Sequence, residues 1–535
     1  METLKSKMGW ELIEEEGPDF KGPVFRDRPK NVVELLEKTV KRYPEKEGFI
    51  AGDRRLTYRK FDETVNRIAA GLGKWGVKRG DHVALLLGIQ LEFPLSFFAL
   101  MKLGAVVVPL NTRFKGEELA YEINDSESKV LIVDEEYWPF ISSVRDRLKT
   151  IEKIFFIGSQ TPEGTAPFSI LQEHQEEGFT RATLSESDEA AILYTSGTTG
   201  KPKGALLHQQ GLTLTAMLVS DFVLFQPEDK MICCIPLFHI TGLACVMLPP
   251  IFSGVACVYL RQFKTLDFLE TLSRERVTHY MGVVNVIWLM INHPDFDQYN
   301  FSSFRTALFG GSFATEEMVK GISSKLPQLQ ISVGYGLTES FAIITSTPFE
   351  DVYRKINAVG KLLPMSDAKI VDEEGRELPP ENTGEILLKG PKIFKGYWKN
   401  PEATRATIVD GWLHTGDIGK IDQEGFIYLL DRKKDMINRG GEKVYSLEVE
   451  NALSSHSKIL EVAVVGVPDK VMGEAVKACV VLKTQETATE QEIRQYCAEC
   501  LADYKVPKFV EFKDSLPRNP AGKVLKAELR YIPEN

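Results

Sequence analysis

Short apolar runs that end in polar or glycine-rich turns recur through most of the chain, and this pattern constrains the fold more than any other feature. The segment HVALLLGIQLEFPLSFFALMKLGAVVVPLN, from His82 to Asn111, has the order strand, helix, strand. Its apolar runs are continuous rather than alternating, which is typical of parallel strands that are buried on both faces. The pattern therefore predicts βαβ units in a doubly wound α/β architecture, with function at the carboxyl ends of the strands.

Similar alternation continues along the chain and then gives way to a different pattern. It returns at KVLIVDEE, EAAILYTSG, MICCIPL, VACVYL, THYMGVV and RTALFGG. The later segments AKIVDEEGRELPPENTGEILLKGP and GKIDQEGFIYLLDRKKD have the pattern of hairpins with glycine-containing turns. We therefore predict a β-rich subdomain after the α/β part.

A compact α+β module is predicted at the end of the chain. After Asp431 the sequence predicts helices around SLEVENALSSH and from Thr489, and strands at ILEVAVVGV, AVKACVVLK and KFVEFK. The boundary segment DRKKDMINRGG is charged and ends in a glycine pair, as expected of a linker that changes conformation. We predict a large N-terminal domain, residues 1–430, and a small mobile C-terminal domain, residues 431–535.

The overall charge argues against several kinds of partner. With 75 acidic and 65 basic residues the formal net charge is -10, so the field of the molecule repels nucleic acid and anionic membrane. An anionic substrate must then be held by local cations. The first residues, METLKSKMGWELIEEEG, lack the apolar core of a signal peptide, and the predicted location is cytoplasmic.

One stretch raises the alternative of a membrane protein. From Met231 to Leu260 there is no Asp, Glu, Lys or Arg, and the stretch is long enough to span a bilayer. Prolines and glycines, among them Pro236, Gly242 and Gly254, divide it into pieces of the length of buried strands and helices. We predict no transmembrane segment, and a non-catalytic acyl-binding or membrane transport protein stays a competing hypothesis.

The segment YTSGTTGKPKG, from Tyr194 to Gly204, carries the strongest chemical signal. It follows the apolar strand AAIL; its glycines let the backbone approach an anion, and its hydroxyls and lysines supply donors and charge. It is not the P-loop of nucleotide hydrolases, because Thr195 and Pro202 stand where that loop needs Gly and Ser or Thr. The predicted phosphate-binding residues are Thr195, Ser196, Gly197, Thr198, Thr199, Gly200, Lys201 and Lys203.

This loop closely resembles the signature of the adenylate-forming enzymes, the superfamily of acyl-CoA synthetases, peptide-synthetase adenylation domains and firefly luciferases. Further motifs of that superfamily follow in order over nearly the whole chain: PLFH (236–239), GYGLTES (334–340), WLHTGD (412–417), DRKKDMINRGGEKVYSLEVE (431–450) and PRNPAGKV (517–524). The resemblance implies ATP, CoA and a carboxylic acid as substrates, Mg²⁺ bound with ATP, and no tightly bound organic cofactor.

The resemblance also implies roles for residues around the nucleotide. Tyr335, between Gly334 and Gly336, is implied to stack on adenine. Thr338 and Glu339 offer hard oxygens, and Glu339 is the implied Mg²⁺ contact. The remaining implied contacts are Asp417 at the ribose hydroxyls, Arg432 at ribose or phosphate, and Gly310, Gly311 and Ser312 along adenine and the acyl pocket.

Lys523, in NPAGKV, is the residue predicted to assist adenylation. A carboxylate that attacks an α-phosphate brings two anions together, so a cation is needed where the bond forms. The resemblance places His239 at the entrance of the acyl pocket, near the substrate carboxylate. Lys523, His239 and Glu339 are the predicted catalytic residues.

The second half of the reaction involves the C-terminal domain. Lys434 matches the hinge about which this domain rotates in the family. The turn formed by Gly440, Gly441 and Glu442 is implied to line the path of the pantetheine arm of CoA. Ser446 stands where the family commonly has Pro, which makes the start of the following helix less certain.

The predicted activity is that of a carboxylic acid:CoA ligase that works through an acyl-adenylate and that can run in reverse where product removal favours it. The predicted acyl pocket contains His239, Gly282, Val283, Gly311, Gly336 and Ile344. Its segments are apolar and lack a cation for a second carboxylate, which favours a hydrophobic monocarboxylate: a medium-chain, aromatic or alicyclic acid. No pattern in the sequence fixes an oligomeric state.

Two alternatives keep the fold and change the chemistry. A free-standing adenylation enzyme would pass its acyl group to a carrier protein. Amino-acid activators normally have an acidic residue near the PLFH segment, and none stands between Met231 and Leu260. A luciferase-like oxygenase is compatible with the fold alone.

Overall fold

The computed structural model of the protein describes residues 5–16, 21–175, 179–195, 201–311, 314–518 and 524–530. In chain order its strands are β1 (Leu12–Glu16), β2 (Lys21–Phe25), β3 (Glu47–Ala51), β4 (Arg54–Thr57), β5 (His82–Leu86), β6 (Val106–Pro109), β7 (Val130–Asp134), β8 (Lys153–Ile157), β9 (Ala166–Pro167), β10 (Glu189–Thr195), β11 (Lys203–His208), β12 (Lys230–Cys233), β13 (Ala256–Tyr259), β14 (His279–Gly282), β15 (Thr306–Phe309), β16 (Gln330–Tyr335), β17 (Thr345–Ser346), β18 (Lys361–Leu362), β19 (Asp367–Val371), β20 (Gly384–Lys389), β21 (Gly396–Tyr397), β22 (Ile408–Val409), β23 (Trp412–Ile421), β24 (Ile427–Arg432), β25 (Ile437–Arg439), β26 (Glu442–Val444), β27 (Ile459–Asp469), β28 (Gly473–Leu482) and β29 (Phe509–Phe512).

The α-helices within the same described ranges are α1 (Val32–Arg42), α2 (Tyr58–Lys74), α3 (Glu92–Leu103), α4 (Gly116–Asp125), α5 (Trp138–Ser142), α6 (Gln209–Val223), α7 (Leu248–Ser253), α8 (Thr265–Glu275), α9 (Val284–Ile291), α10 (Glu316–Lys325), α11 (Pro401–Thr407), α12 (Ser446–Ser454), α13 (Glu490–Cys500) and α14 (Lys526–Leu529). A π-helical stretch, Thr241–Met247, precedes α7, and a 3₁₀ turn, Thr338–Ser340, follows β16.

The first large sheet has the order β21-β11-β10-β6-β5-β7-β8-β9. Strands β5 and β6 are parallel neighbours joined through α3, which confirms the predicted βαβ unit. Every residue of α3 is buried. Its sequence, EFPLSFFALMKL, is apolar on almost all sides, and a helix of this kind must lie inside the protein.

The second large sheet has the order β18-β17-β16-β15-β14-β12-β13-β3-β4. Its central strands are parallel, so their carboxyl ends meet at one edge. Strands β14, β15 and β16 end there at Gly282, Phe309 and Tyr335. Predicted acyl and nucleotide residues therefore lie on neighbouring strand ends, as expected for an open parallel sheet.

The predicted β-rich subdomain is an antiparallel sheet in which β20 pairs with β19 and β23, and β24 pairs with β23. Both predicted hairpins are present. Asp417 of β23 is the register partner of Arg432 of β24. The segment predicted to be a linker therefore begins inside a strand, since Asp431 and Arg432 still belong to β24.

The C-terminal module contains a sheet of order β26-β25-β28-β27, with β29 parallel to β28. Its own apolar core includes Val449 of α12, Val464 of β27 and Ile493 of α13. The predicted fold, a large α/β domain with a β-rich part and a small α+β domain, is confirmed. The exact boundary at residue 431 stays a prediction.

The uncharged stretch from Met231 to Leu260 forms β12, the π-helical turn, α7 and β13. Gly242 allows close packing, because a side chain there would overlap the Pro236 carbonyl. Among the helices that the structure describes, none combines the length and apolar character needed to cross a membrane.

Candidate active site

Asp417 is the centre of a buried polar cluster at the end of β16. Its Oδ2 accepts a 2.6 Å hydrogen bond from the Tyr335 hydroxyl, and Arg432 Nε lies 3.2 Å from its Oδ1. Tyr335 and Asp417 are 8% and 3% exposed. Burial, with the Asp417 charge as second cause, raises the pKa of Tyr335 well above its usual value. The phenol is therefore a permanent donor, and three residues predicted to bind nucleotide meet here.

The turn that carries Asp417 is held by its own hydrogen bonds. The backbone N–H of Asp417 donates to Thr415 Oγ1 at 3.0 Å, and this hydroxyl donates to the Ile386 carbonyl at 2.6 Å. Gly416 has φ +68°, a conformation in which glycine is favoured. The motif HTGD is thus a rigid support that fixes the carboxylate.

Glu339 lies in the 3₁₀ turn after β16 and is held by a residue that the sequence analysis missed. Tyr397 donates its hydroxyl hydrogen to Glu339 Oε1 at 2.7 Å, and the Phe394 N–H donates to the Glu339 carbonyl at 2.9 Å. Lys203, at the end of the predicted phosphate loop, has its ammonium 5.3 Å from the centre of the Tyr397 ring. The structure therefore brings the predicted metal contact close to the phosphate loop.

A sequence signal for Tyr397 exists. The aromatic pair in KGYWKN stands in a charged stretch outside any apolar repeat. Aromatic residues outside an apolar pattern are better explained by a site than by a core.

The nucleotide loop, Gly334 to Ile344, has a strained backbone. Phe341 and Ala342 have φ values of 57° and 73°, and residues other than glycine rarely adopt such values. Any side chain at Gly336 would overlap the Ala342 carbonyl oxygen. Such strain persists only where the surroundings hold the chain in place.

Two contacts from outside hold this loop. The Phe341 ring fills the space that a side chain at Gly211 of α6 would need. The ammonium of Lys392, which is 1% exposed, donates to the carbonyl of Ile343. Burial lowers the pKa of Lys392 to about 7. Lys392 is a second residue that sequence analysis missed, because a lysine in a loop is usually solvated.

His239, which is predicted to lie at the entrance of the acyl pocket, follows β12. Its Nδ1 accepts a hydrogen bond from the Thr241 N–H at 3.2 Å, which assigns the ring proton to Nε2. Enclosure by protein lowers the pKa of His239 to about 4, although part of the ring surface is open. The imidazole is therefore neutral at pH 7 and can donate one hydrogen bond without adding charge to the acyl side.

Glycines occupy several other positions of the predicted acyl pocket. A side chain at Gly282 would come within 2.7 Å of Ile235, and one at Gly310 within 3.3 Å of the Gly334 carbonyl. Gly311 has φ +75° and open space beside it. Val283 precedes α9, and Ile344 is buried beside Tyr335, whose carbonyl accepts the Ile344 N–H at 2.8 Å.

The phosphate loop is described only at its two ends. Thr195 of β10 pairs with Lys203 of β11, and the Lys201 ammonium lies 5.5 Å from the centre of the Tyr121 ring. The ends are therefore tied to the first sheet and to α4. Seven predicted site residues lie outside the described residues: Ser196, Gly197, Thr198, Thr199, Gly200, Ser312 and Lys523.

The predicted CoA turn lies between β25 and β26. Gly440 and Gly441 have φ values of 63° and 96°. The Gly440 N–H donates to the Met472 carbonyl at 2.7 Å, and the Gly441 N–H to Asn438 Oδ1 at 3.0 Å. Glu442 pairs with Arg439 in the same hairpin. These contacts stay within the C-terminal domain, so the structure does not join the turn to the Asp417 cluster.

Four polar residues form what we call the hinge cluster: Asp431, Ser446, Glu450 and Lys526. The Ser446 N–H and hydroxyl donate to the two oxygens of Asp431 at 2.5 and 3.0 Å. Lys526 donates to Ser446 Oγ at 2.5 Å and lies 2.7 Å from Glu450. Ser446 is thus the first residue of α12 and bonds to the last strand of the β-rich sheet.

The predicted hinge residue lies within this arrangement. The Lys434 carbonyl accepts a hydrogen bond from Arg530 Nη2 at 3.0 Å, and the same guanidinium is 3.1 Å from Asp435. The chain that follows the last motif therefore contacts the hinge turn directly.

The donor set at Glu339 fits a magnesium ion that arrives with a nucleotide. Mg²⁺ commonly takes one or two protein carboxylates, with substrate phosphates and water completing the octahedron. Glu339 offers one carboxylate, and Thr338 beside it a hydroxyl. No group of three or more His, Cys, Asp or Glu side chains suited to a metal occurs in the described ranges.

Comparison with known proteins agrees with this geometry. The model of the AMP-binding enzyme family matches residues 36–398, and that of the AMP-binding enzyme C-terminal domain matches residues 448–523. The long-chain-fatty-acid–CoA ligase FadD13 of Mycobacterium tuberculosis H37Rv is 34% identical over 510 residues, which cover 94% of this chain and 98% of that protein. The long-chain-fatty-acid–CoA ligase of Escherichia coli O6:H1 is 32% identical, with coverage of 94% and 95%.

Among solved structures, that of the anthranilate CoA ligase AuaEII with anthranoyl-AMP superimposes with a TM-score of 0.89 at 30% identity, covering 94% of this chain and 98% of that one. The chain therefore belongs to the AMP-binding enzyme family of the adenylate-forming superfamily, which confirms the prediction from its motifs. Within that superfamily it is an AMP-forming acid–thiol ligase.

Proposed function

We propose that the protein joins a hydrophobic monocarboxylic acid to CoA at the expense of ATP, through an acyl-adenylate, with release of AMP and pyrophosphate. The observation that carries the proposal is the Asp417 cluster. A buried carboxylate has both oxygens fixed, by Tyr335 and Arg432, and the backbone of Tyr335 is bonded to Ile344 of the predicted acyl pocket. An adenosine held there by its ribose would have its α-phosphate between the acyl side and the phosphate loop.

Nucleotide binding would use the fixed geometry of this cluster. Asp417 accepts hydrogen bonds from the ribose hydroxyls, and the charge of Arg432 keeps the carboxylate ionised or contacts a phosphate. The Tyr335 ring, fixed through its hydroxyl, offers a face to adenine. Because these groups are already ordered without nucleotide, little conformational entropy is lost when ATP binds.

The first half-reaction joins two anions and needs positive charge around the α-phosphate. A carboxylate oxygen of the acid forms a bond to the α-phosphorus, and the bond to pyrophosphate breaks. Lys201 and Lys203 stand beside the triphosphate path, and Lys523 is assigned to the point of bond formation. Mg²⁺ supplies charge neutralisation to the phosphates when bound, and Glu339 is the residue that would hold it.

The second half-reaction requires the C-terminal domain to turn about Lys434. The CoA thiolate forms a bond to the acyl carbon and AMP leaves with its phosphate oxygen. For Gly440 and Gly441 to reach the cleft, the hydrogen bonds between Ser446 and Asp431 must break, because these residues lie on opposite sides of the hinge. The domain division near residue 431 is part of this proposal.

The acyl group is proposed to be apolar: a medium-chain, aromatic or alicyclic acid. His239 is neutral, and the buried amine of Lys392 is bonded to a backbone carbonyl rather than directed at a second carboxylate. Relatives are named for long-chain fatty acids and for anthranilate, so related pockets accept both linear and ring acids.

The test measures AMP and pyrophosphate release with MgATP against linear, aromatic and alicyclic acids, with and without CoA. CoA-dependent turnover with one class of acid supports the proposal. Acid-dependent ATP–pyrophosphate exchange without CoA-dependent turnover would favour transfer to a carrier protein. Absence of any acid-dependent reaction would contradict an active ligase.

A matched pair of variants ties the activity to the Asp417 cluster. Asp417→Asn keeps the shape and removes the charge, and we expect kcat/KM for ATP to fall by about tenfold to a hundredfold, the range for hydrogen bonds to a charged group. Asp410→Asn, in the exposed turn of the same sheet, is the control and should leave kcat/KM unchanged. Equal effects of the two would contradict the ribose role.

A further inference from the structure

The segment from Lys392 to Tyr397 connects the two large sheets at the cleft. At one end, β21 pairs with β11 of the first sheet, with Tyr397 opposite Ala205. In its middle, the Phe394 N–H donates to the Glu339 carbonyl at 2.9 Å. None of the six motifs named in the sequence analysis includes this segment, and yet it contacts the nucleotide loop through both its backbone and a side chain.

Tyr397 makes the side-chain contact. Its hydroxyl lies 2.7 Å from Glu339 Oε1. A phenol is protonated throughout the physiological range and a carboxylate has no proton to give, so the tyrosine is the donor in this hydrogen bond.

Lys203 lies close to Tyr397 and strengthens the hydrogen bond from Tyr397 to Glu339. Its ammonium is 5.3 Å from the centre of the Tyr397 ring, within the range of a cation–π contact. A positive charge near the phenol makes its hydroxyl a better donor. A single side chain thus touches the end of the phosphate loop with its ring and the predicted metal contact with its hydroxyl.

The same construction occurs at the other substrate-facing carboxylate. Tyr335 donates to Asp417 Oδ2 at 2.6 Å, as Tyr397 donates to Glu339 Oε1 at 2.7 Å. In each pair a tyrosine, buried at position 335 and half-buried at position 397, donates to one carboxylate oxygen. The other oxygen of Asp417 lies 3.2 Å from Arg432 Nε, and the other oxygen of Glu339 is the one that would take a ligand. A carboxylate fixed in this way loses less rotational freedom when its second oxygen takes a ligand.

We propose that Tyr397 is a positioning residue for adenylation, which holds the Glu339 carboxylate so that its second oxygen faces the magnesium ion of MgATP. The inference rests on the proposed function, in which Glu339 contacts that ion. Tyr397 itself need not touch the nucleotide. It acts through Glu339, and its removal should change the requirement for the metal rather than the fit of the acid.

The experiment uses the full-length protein and the variant Tyr397→Phe, which removes only the hydroxyl. Mg²⁺ is titrated in the acid-dependent AMP assay, and Mn²⁺ binding in the presence of ATP is followed by electron paramagnetic resonance. We expect both midpoint concentrations to rise about tenfold, the lower end for a hydrogen bond to a charged group. The KM of the acid should stay unchanged.

The control is another tyrosine bonded to a carboxylate. Tyr428 donates to Asp422 Oδ2 at 3.2 Å in the β-rich sheet, away from the cleft. Tyr428→Phe removes a hydroxyl of the same kind and should leave both metal midpoints unchanged. If it raises them as Tyr397→Phe does, the effect is a general loss of stability and the proposal is wrong.

A double variant tests whether Tyr397 acts through Glu339. Glu339→Gln alone should raise the Mn²⁺ midpoint, and adding Tyr397→Phe should raise it no further, because coupled residues are not additive. If the increases in the Mn²⁺ midpoint caused by the two substitutions multiply in the double variant, Tyr397 does not act through Glu339 and the proposal is wrong. A lower kcat with an unchanged Mn²⁺ midpoint in Tyr397→Phe would also overturn the proposal. Failure of the wild-type protein to release AMP would instead count against the proposed function, since Mn²⁺ binding is measured without turnover.

Discussion

The nucleotide loop and the hinge cluster are both held by polar contacts, but they are built differently. The loop is internal to the N-terminal domain, and its strained residues Phe341 and Ala342 are held from two sides by Gly211 of α6 and by Lys392. The hinge cluster joins two parts of the chain through the single side chain of Asp431. The first arrangement suits a site that must keep one geometry, and the second suits an interface that must open.

The other contacts around the hinge are also weaker than those that hold the nucleotide loop. Ion pairs that connect the C-terminal domain to the rest are mostly solvent-exposed, as with Lys443 and Glu373 at 2.7 Å or Lys483 and Glu317 at 3.6 Å. Exposed pairs of this kind contribute little free energy and are screened by salt. The comparison predicts large effects for changes in the loop and graded, smaller ones around the hinge.

The largest effect is expected for Gly336→Ala. The new methyl group would overlap the Ala342 carbonyl oxygen, and backbone atoms cannot move aside as a flexible side chain can. The displaced loop carries Glu339, so we expect acid-dependent AMP formation to fall more than about a hundredfold, as misplacement near 1 Å can do. Steady-state kinetics of AMP release measure the effect.

Gly73→Ala is the control for that variant. Gly73 lies in α2, where an added methyl group would be 3.6 Å from Leu103, an ordinary contact. It should leave AMP formation unchanged and raise stability slightly, because alanine favours a helix. A mild phenotype at Gly336 would show that the loop is less rigid than its contacts indicate.

The next effect concerns stability and pH. Burial lowers the pKa of Lys392 to about 7, so the unfolded state binds more protons than the folded state between pH 7 and the ordinary lysine pKa. Stability should therefore rise with pH over that interval, by about 1.4 kcal/mol per pH unit for one full proton. Lys392→Met should lose this slope, which calorimetric unfolding from pH 7 to 9 measures.

The protonation state of Lys392 also affects the activity expected of the variant. At pH 7 and below, the wild-type protein holds a buried ammonium that Met would not, so the variant can be as stable as the wild type and still release AMP more slowly. Lys389→Met, in the same region but solvent-accessible, is the control and should keep the wild-type slope. An identical slope in Lys392→Met and wild type would show that Lys392 is charged in both states.

A smaller effect is expected at the hinge. Ser446→Pro removes both donors to Asp431, whereas Ser446→Ala removes only the hydroxyl and keeps the N–H. At about 1 kcal/mol per hydrogen bond, we expect limited proteolysis at the hinge turn to be about thirtyfold faster in the proline variant and about fivefold faster in the alanine variant. Equal cleavage rates in all three proteins would mean that the contact does not restrain the domain.

The smallest effect is expected for the exposed ion pair. Lys443→Ala removes the partner of Glu373, and the free energy should change by less than about 1 kcal/mol, with the difference vanishing at high salt. Proteolysis at low and high ionic strength measures this. A large increase in the proteolysis rate of Lys443→Ala that does not depend on salt would show that Lys443, rather than Ser446, makes the main contact that restrains the C-terminal domain.

Most of the fold could be predicted from the sequence, because apolar periodicity and turn residues act locally. The βαβ unit from His82 to Asn111, the two hairpins and the C-terminal elements were all predicted from such patterns. The segment predicted to be a linker begins inside a strand, since Asp431 and Arg432 continue β24. Charged residues can occupy a strand when the register pairs them, as Arg432 pairs with Asp417.

The sequence by itself determined the class of chemistry, because the phosphate loop and the order of the motifs around it resemble one superfamily, and that resemblance implies the roles predicted for Asp417 and Glu339. These features are readable because each is a short contiguous pattern. The partners of those residues were decided by the tertiary structure. Tyr397 is 58 residues from Glu339, and Lys392 is 49 residues from Ile343. Strand pairing between the two sheets brings them together, and no local pattern records which distant side chain will complete a given hydrogen bond.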